Sequence, residues 1–277
     1  MTTKIVLVGA GGKMGIRITD NFLKCSQYDI SYLEISTPCI NLLSQRGITV
    51  SIQKEVIPVA DVVILAVPDV TIGKISAEII PMMKPGSLVM TLDPAAPLDG
   101  VIFHRDDLGY VIAHPCHPSV FNWEPTEAAF RDFYGGISAK QSIVVALMNG
   151  KEEHYQLGEQ IAKDMYQPIK YSHRITLEQM AILEPAMVET LAQTCMEVVK
   201  KGYDKIVALG VPEAAARDFV LGHLRIQIAV LFKEVNGTFS DAAYKISKRA
   251  MPILFKEGWE KIFEMSDIRE QVRDITN

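Results

Sequence analysis

The segment Gly9-Ala10-Gly11-Gly12-Lys13-Met14-Gly15 follows the short apolar run 5–8 and leads straight into residues with helical periodicity. A strand, a glycine turn and a helix in that order constrain the chain strongly. Glycines let the backbone turn tightly and approach an anion, and the helix N-terminus adds its positive dipole end. The spacing departs from a strict G-x-G-x-x-G, because the third glycine is Gly15; Gly9, Gly12 and Gly15 fit a G-x-x-G-x-x-G pattern. Glu34 closes the next β-rich run, where a carboxylate would hydrogen-bond ribose hydroxyls and repel a 2′-phosphate, so the expected ligand is NAD rather than NADP.

The remaining first half alternates β-branched runs at 30–35, 62–67, 88–92 and 110–113 with helical stretches at 14–24, 38–45 and 70–83. Uninterrupted apolar runs of that length suit strands buried on both faces, and a βαβα order predicts an α/β, Rossmann-type doubly wound parallel sheet. Segments 142–147, 152–165 and 169–171 complete this domain. From about Thr176 the strand signal ends, and 177–209, the stretch opened by Pro212 and 240–263 all read as helix. The expected organisation is therefore residues 1–174 as a nucleotide-binding domain and 175–277 as an all-helical substrate-binding and dimerisation domain.

Composition narrows the function classes. A formal net charge of −5 with no basic stripe argues against a nucleic-acid partner. No apolar run is long enough to span a bilayer, and the N-terminus carries no cleavable signal pattern, so a cytoplasmic protein is expected. Cys25, Cys39, Cys116 and Cys195 lack metal or disulfide-framework spacing.

Two places carry candidate chemistry. Ala66-Val67-Pro68-Asp69 lies at the carboxyl end of a strand, where open α/β sheets bind ligands; Asp69 either lines that site or caps a helix starting near Thr71. The turn His114-Pro115-Cys116-His117-Pro118 is expected just past the strand ending at Ala113, with two imidazoles able to converge on one substrate or one metal ion. Imidazole suits proton abstraction near neutral pH, and two histidines need a third group to hold a metal. Glu184 precedes Pro185 inside an apolar helix and either is aimed at the cleft by a proline kink or lies on a solvated face, whereas Glu178 and Glu189 read as solvated. His173 and Arg174 stand at the domain junction, where Arg174 either forks onto a substrate carboxylate or the pair are hinge or surface residues; His223 is either an interior histidine or a contributor to a partner's cleft.

Gly9 to Gly15, 64–69, Asp93-Pro94-Ala95-Ala96-Pro97, 114–118, Phe133-Tyr134-Gly135-Gly136, 180–185 and Gly222-His223-Leu224 together resemble the D-apionate oxidoisomerase family, which is related to proteins with a phosphogluconate-dehydrogenase-like C-terminal domain. The resemblance implies NAD-dependent conversion of D-apionate, a branched sugar acid, into 3-oxo-isoapionate: oxidation of the hydroxyl next to the carboxylate, then transfer of a hydroxymethyl group onto the new carbonyl. It implies His114 or His117 as base, Glu184 for the second proton, and a divalent ion held by His114, His117 and Glu184 as Lewis acid. Two rivals keep the nucleotide site: a β-hydroxyacid or sugar-acid dehydrogenase without migration, and a non-catalytic NAD-binding protein. The apolar stretch 177–209 predicts burial against a second subunit, hence a homodimer.

Overall fold

A computed structural model describes residues 2–277. The first β-rich runs become β1 (Thr3–Val8), β2 (Tyr28–Leu33), β3 (Val62–Leu65), β4 (Leu88–Thr91) and β5 (Gly109–Pro115), followed by β6 (Gln141–Asn149) and β7 (Ile169–Arg174). Between them lie α1 (Lys13–Phe22), α2 (Thr37–Ser44), α3 (Gln53–Val56), α4 (Asp69–Ile79), α5 (Ala95–Asp99), α6 (Glu127–Phe130) and α7 (Glu152–Met165). The strands form a seven-stranded sheet in the order β2-β1-β3-β4-β5-β6-β7. The order reverses between β1 and β3, which opens a crevice at their carboxyl ends.

Period-2 alternation explains why the strands read as continuous apolar runs. Ile5, Leu7, Val62, Ile64, Val111 and Ala113 pack on one face against Ile18 and Phe22 of α1 and Ile161 of α7. Val6, Val8, Val63 and Leu65 turn to the other face and meet Ile72 and Ile79 of α4. Both faces are thus buried, as parallel strands require.

One pairing departs from the all-parallel expectation, so that β6 and β7 both run opposite to β1–β5. β6 runs antiparallel to β5, with His114 opposite Val144. The connection between them contains only the short α6 and no crossover helix of the kind that returns a chain for parallel pairing. α7 then supplies such a crossover, and β7 pairs parallel to β6.

After β7 come α8 (Leu177–Ala181), a π-helical stretch (Ile182–Gln193), α9 (Thr194–Ala208), α10 (Glu213–Leu231), α11 (Asp241–Leu254) and α12 (Met265–Thr276). The expected single helix over 177–209 is therefore three consecutive segments, and the helix expected from 240 ends at Leu254. Pro212 caps α10 from just outside it. The chain forms two compact units, one running through Pro185 and taking back Arg269–Asn277, the other Ala186–Ile268. The first unit therefore extends past the expected division at 174, because Met180 of α8 packs against Ile112, Val144 and Ala146 of the sheet. Within that unit, Thr276 of α12 hydrogen-bonds Asp99 at the end of α5, at 2.7 Å. Among the described residues no helix is long and apolar enough to cross a membrane.

Candidate active site

The glycine loop owes its shape to close backbone packing. Gly9 has φ +78, a left-handed conformation that disfavours side chains, and a Cβ there would run into the Ala66 carbonyl oxygen. A Cβ on Gly15 would run into the carbonyl oxygen of Gly9, and one on Gly11 would come within 2.6 Å of the Cys39 Cβ. Gly12 differs, because a Cβ there would meet nothing closer than 3.4 Å. It is the N-cap of α1, a helix without a side-chain cap or an acidic residue in its first turn. Unpaired N–H groups and an unopposed helix dipole make that terminus suited to an anion. Glu34 faces the same loop: its Oε2 accepts from the Gly11 N–H at 3.0 Å, and its Oε1 accepts from the N–H groups of Ile35 and Ser36.

Gly12, Lys13 and Met14 line a cavity of about 580 Å³ together with Val67, Pro68, Asp69, Asp93, His114 and His117. Its walls are thus the carboxyl ends of β1, β3, β4 and β5, the crevice of the switch point. Asp69 is the first residue of α4 and lines this cavity; the N-cap position, one of the two roles open to Asp69, belongs to Pro68. Burial, reinforced by the charge of Asp93, pushes the Asp69 carboxyl up to about 6.

His114 lies within β5 rather than past it. Its Nδ1 is 2.7 Å from the Leu92 carbonyl oxygen, and since a carbonyl can only accept, Nδ1 carries the proton. Nε2 then stands 3.3 Å from Glu184 Oε2. The juxtaposition follows from two periodicities: Ile112 and His114 share a strand face, and Met180, one helical turn before Glu184, packs on Ile112. Glu184 and Pro185 sit in the π-helical stretch, whose wider turn takes up the proline at the position where a kink is expected.

Asp93 was not among the residues expected to act, yet one ligand atom each from Asp93, His114 and Glu184 lie within 4.8 Å of one another. Its Oδ1 accepts from the Ala95 N–H at 2.8 Å, and its Oδ2 is 3.9 Å from His114 Nδ1. Burial raises the Asp93 carboxyl and Glu184 adds to that, against the Ala95 hydrogen bond and His114. The position was findable, since an aspartate directly after a β-rich run falls on the ligand-binding edge.

His117 lines the cavity but lies outside this group, whose third member beside His114 and Glu184 is Asp93. It adopts φ 58, its Nδ1 is 2.8 Å from the Tyr134 carbonyl oxygen, and its ring centroid is 6.4 Å from that of His114. The left-handed backbone turns the ring toward the 133–136 loop.

The side chains expected to grip substrate make other contacts within their own units. Arg174 forks onto Glu152 at 2.7 and 2.8 Å and covers the Tyr155 ring at 3.9 Å, so its guanidinium is spent on α7. The alternation of β7 puts His173 on the opposite face; it is in register with Val144 but exposed and outside the cavity lining. His223, on α10 of the second unit, stacks on Phe219 with ring centroids 4.0 Å apart, its Nδ1 against the Phe219 carbonyl.

Residues 122–276 match the family model for the C-terminal part of phosphogluconate dehydrogenase (decarboxylating). A D-apionate oxidoisomerase of Cupriavidus necator is 48% identical over 277 residues, covering 100% of both chains. One from Rhizobium rhizogenes is 46% identical, covering 99% of this chain and 100% of its own. Among solved structures, a semialdehyde dehydrogenase NAD-binding protein from Cupriavidus necator, crystallised in complex with calcium and NAD, superposes with a TM-score of 0.97 at 48% identity over 100% of each chain. With full-length identity of this order and a glycine loop, carboxylates and imidazoles gathered on one sheet edge, the chain belongs to the D-apionate oxidoisomerase family.

Proposed function

We propose that this protein is a NAD-dependent oxidoisomerase that converts D-apionate to 3-oxo-isoapionate, working in the cytoplasm as a homodimer. The observation that carries the reading is a single cavity bounded by the glycine loop and by two imidazoles whose Nδ1 atoms are both committed to backbone carbonyls. Each ring then presents Nε2 as its basic nitrogen.

The loop suits a dinucleotide. Gly12 leaves room beside an uncapped helix terminus for a pyrophosphate, and Glu34 stands where ribose hydroxyls would replace its N–H donors. NAD, when bound, supplies the hydride acceptor. His117 takes the proton from the hydroxyl beside the carboxylate while the hydride leaves the same carbon, which becomes a carbonyl. Glu184 next takes the proton of the neighbouring tertiary hydroxyl. A hydroxymethyl group moves with its bonding pair to the carbonyl carbon, its former carbon becomes the new carbonyl, and the original oxygen recovers a proton from His117. One proton remains on Glu184 for release, which balances the reaction.

The homodimer is supported by the second unit, where α9 and α11 bury no residue and α10 buries only Ala216 among the described residues, while Val198, Phe219, Leu221 and Ile253 stay exposed. Apolar helices of that kind gain stability against a second copy. Sedimentation at micromolar concentration tests it, and a monomer there would discard it.

NAD reduction followed at 340 nm with D-apionate, beside unbranched 2- and 3-hydroxy acids, tests the reaction. Turnover of D-apionate with a rearranged carbon skeleton in labelled product is expected. Turnover of unbranched acids alone would leave a dehydrogenase without migration.

A further inference from the structure

We propose that Asp93, His114 and Glu184 form a three-ligand site for a divalent cation of the Mg²⁺ and Mn²⁺ class, with Asp93 rather than His117 as the third ligand. The argument starts from His114. With its proton on Nδ1 toward Leu92, the ring directs the Nε2 lone pair at Glu184 Oε2, 3.3 Å away. Two acceptors facing each other at that distance need a cation or a proton between them. A histidine whose Nδ1–H is anchored on a backbone carbonyl is the usual arrangement of a metal-binding imidazole, because the anchor fixes both tautomer and ring orientation.

Asp93 completes the set. The Ala95 N–H holds Oδ1 and orients the carboxylate, which leaves Oδ2 on the side of His114. All three side chains are partly buried, and their ligand atoms converge within 4.8 Å, the span of donors around a single ion. Two carboxylates and one imidazole favour a cation that accepts hard oxygen yet tolerates nitrogen, and three protein ligands on one side leave positions open for two oxygens of a bound acid. Glu184 can bind through one oxygen and keep the other for proton transfer. His117 has its Nδ1 on Tyr134 and stays outside the set.

The use of this ion in turnover rests on the proposed oxidoisomerisation; the site itself does not. Mn²⁺ titration of the chelator-stripped full-length protein, followed by electron paramagnetic resonance, tests it, with NADH fluorescence as the check that each variant is folded. The wild type is expected to take up one Mn²⁺ per chain. Asp93→Asn and Glu184→Gln should each weaken uptake by more than about 10-fold while NADH still binds, and His117→Ala should leave uptake within about twofold of wild type. Absence of Mn²⁺ uptake by the wild type at millimolar metal would overturn the proposal, and so would an Asp93→Asn protein that binds like wild type or a His117→Ala protein that does not bind. If a folded variant is in doubt, Glu184→Asp must restore part of the uptake lost in Glu184→Gln. Mn²⁺ uptake without conversion of D-apionate would keep the site and remove the reaction; conversion by a protein that takes up no Mn²⁺ would do the reverse.

Discussion

The two edges of the central sheet treat the same residue type in opposite ways. At the amino end of β3, Asp61 accepts from the Lys4 N–H at 2.8 Å and from Lys84 Nζ at 2.6 Å. Burial pushes its carboxyl up, but the Lys4 N–H and the Lys84 ammonium outweigh that and hold it below the usual carboxylate range. At the carboxyl edge, burial pushes Asp69 and Asp93 up, and each feels another carboxylate nearby. The difference is one of partners. Asp61 is satisfied by its own fold and ties β1 to β3, whereas the carboxyl-edge aspartates gather negative charge around a cavity that the fold leaves open to ligands.

The largest effect expected on the carboxyl edge is at His117. Replacing it with alanine removes the proposed base without touching the glycine loop, so kcat should fall by roughly 10²–10⁴. NADH affinity should stay within a few-fold of wild type. Steady-state rates at 340 nm read the first quantity and NADH fluorescence the second; an unchanged kcat would remove His117 from the reaction.

Gly15 comes next, and it separates packing from binding within one loop. A Cβ at Gly15 would strike the Gly9 carbonyl oxygen, and backbone cannot swing aside as a flexible side chain does. Overpacking of this kind costs about 2–3 kcal/mol, which for a chain of this size lowers Tm by roughly 5–10 °C. Gly12→Ala should keep its Tm, because Gly12 has φ −68 and ordinary space for a Cβ. It should instead weaken NADH binding, since the added methyl occupies the approach to the pyrophosphate. Scanning calorimetry of both variants beside NADH titration checks the pair; equal Tm losses would contradict the assignment of Gly12 to the ligand.

These cases also indicate what a single sequence can carry. The strand–glycine turn–helix order, the place of Glu34 beside it and the alternating first half were legible because each depends on local backbone demands or on the period of buried strands. The direction of β6 was not, because it depends on the absence of a crossover in 116–140, which periodicity does not report. Arg174 read as a substrate fork because nothing local announces that α7 will set Glu152 beneath it. Asp93 was overlooked for a similar reason: its partners, His114 and Glu184, come from a later strand and from the π-helical stretch, and only the folded sheet brings them together.

The smallest expected effect lies on the amino edge. Asp61→Asn keeps the shape but loses the attraction to Lys84 and weakens the acceptor for the Lys4 N–H. Because the pair is partly exposed, solvent screening limits the cost to about 0.5–1 kcal/mol at pH 7. The sign follows from linkage. A carboxyl lowered in the folded state favours folding while ionised, so its contribution is full above the unfolded pKa of about 4 and fades as pH falls through the lower folded value. Urea denaturation of wild type and Asp61→Asn should therefore show a constant gap from pH 7 to about pH 5 that closes below about pH 4. A gap that widened on acidification would mean that burial dominates at Asp61 as it does at Asp69, and the contrast between the two edges would not hold.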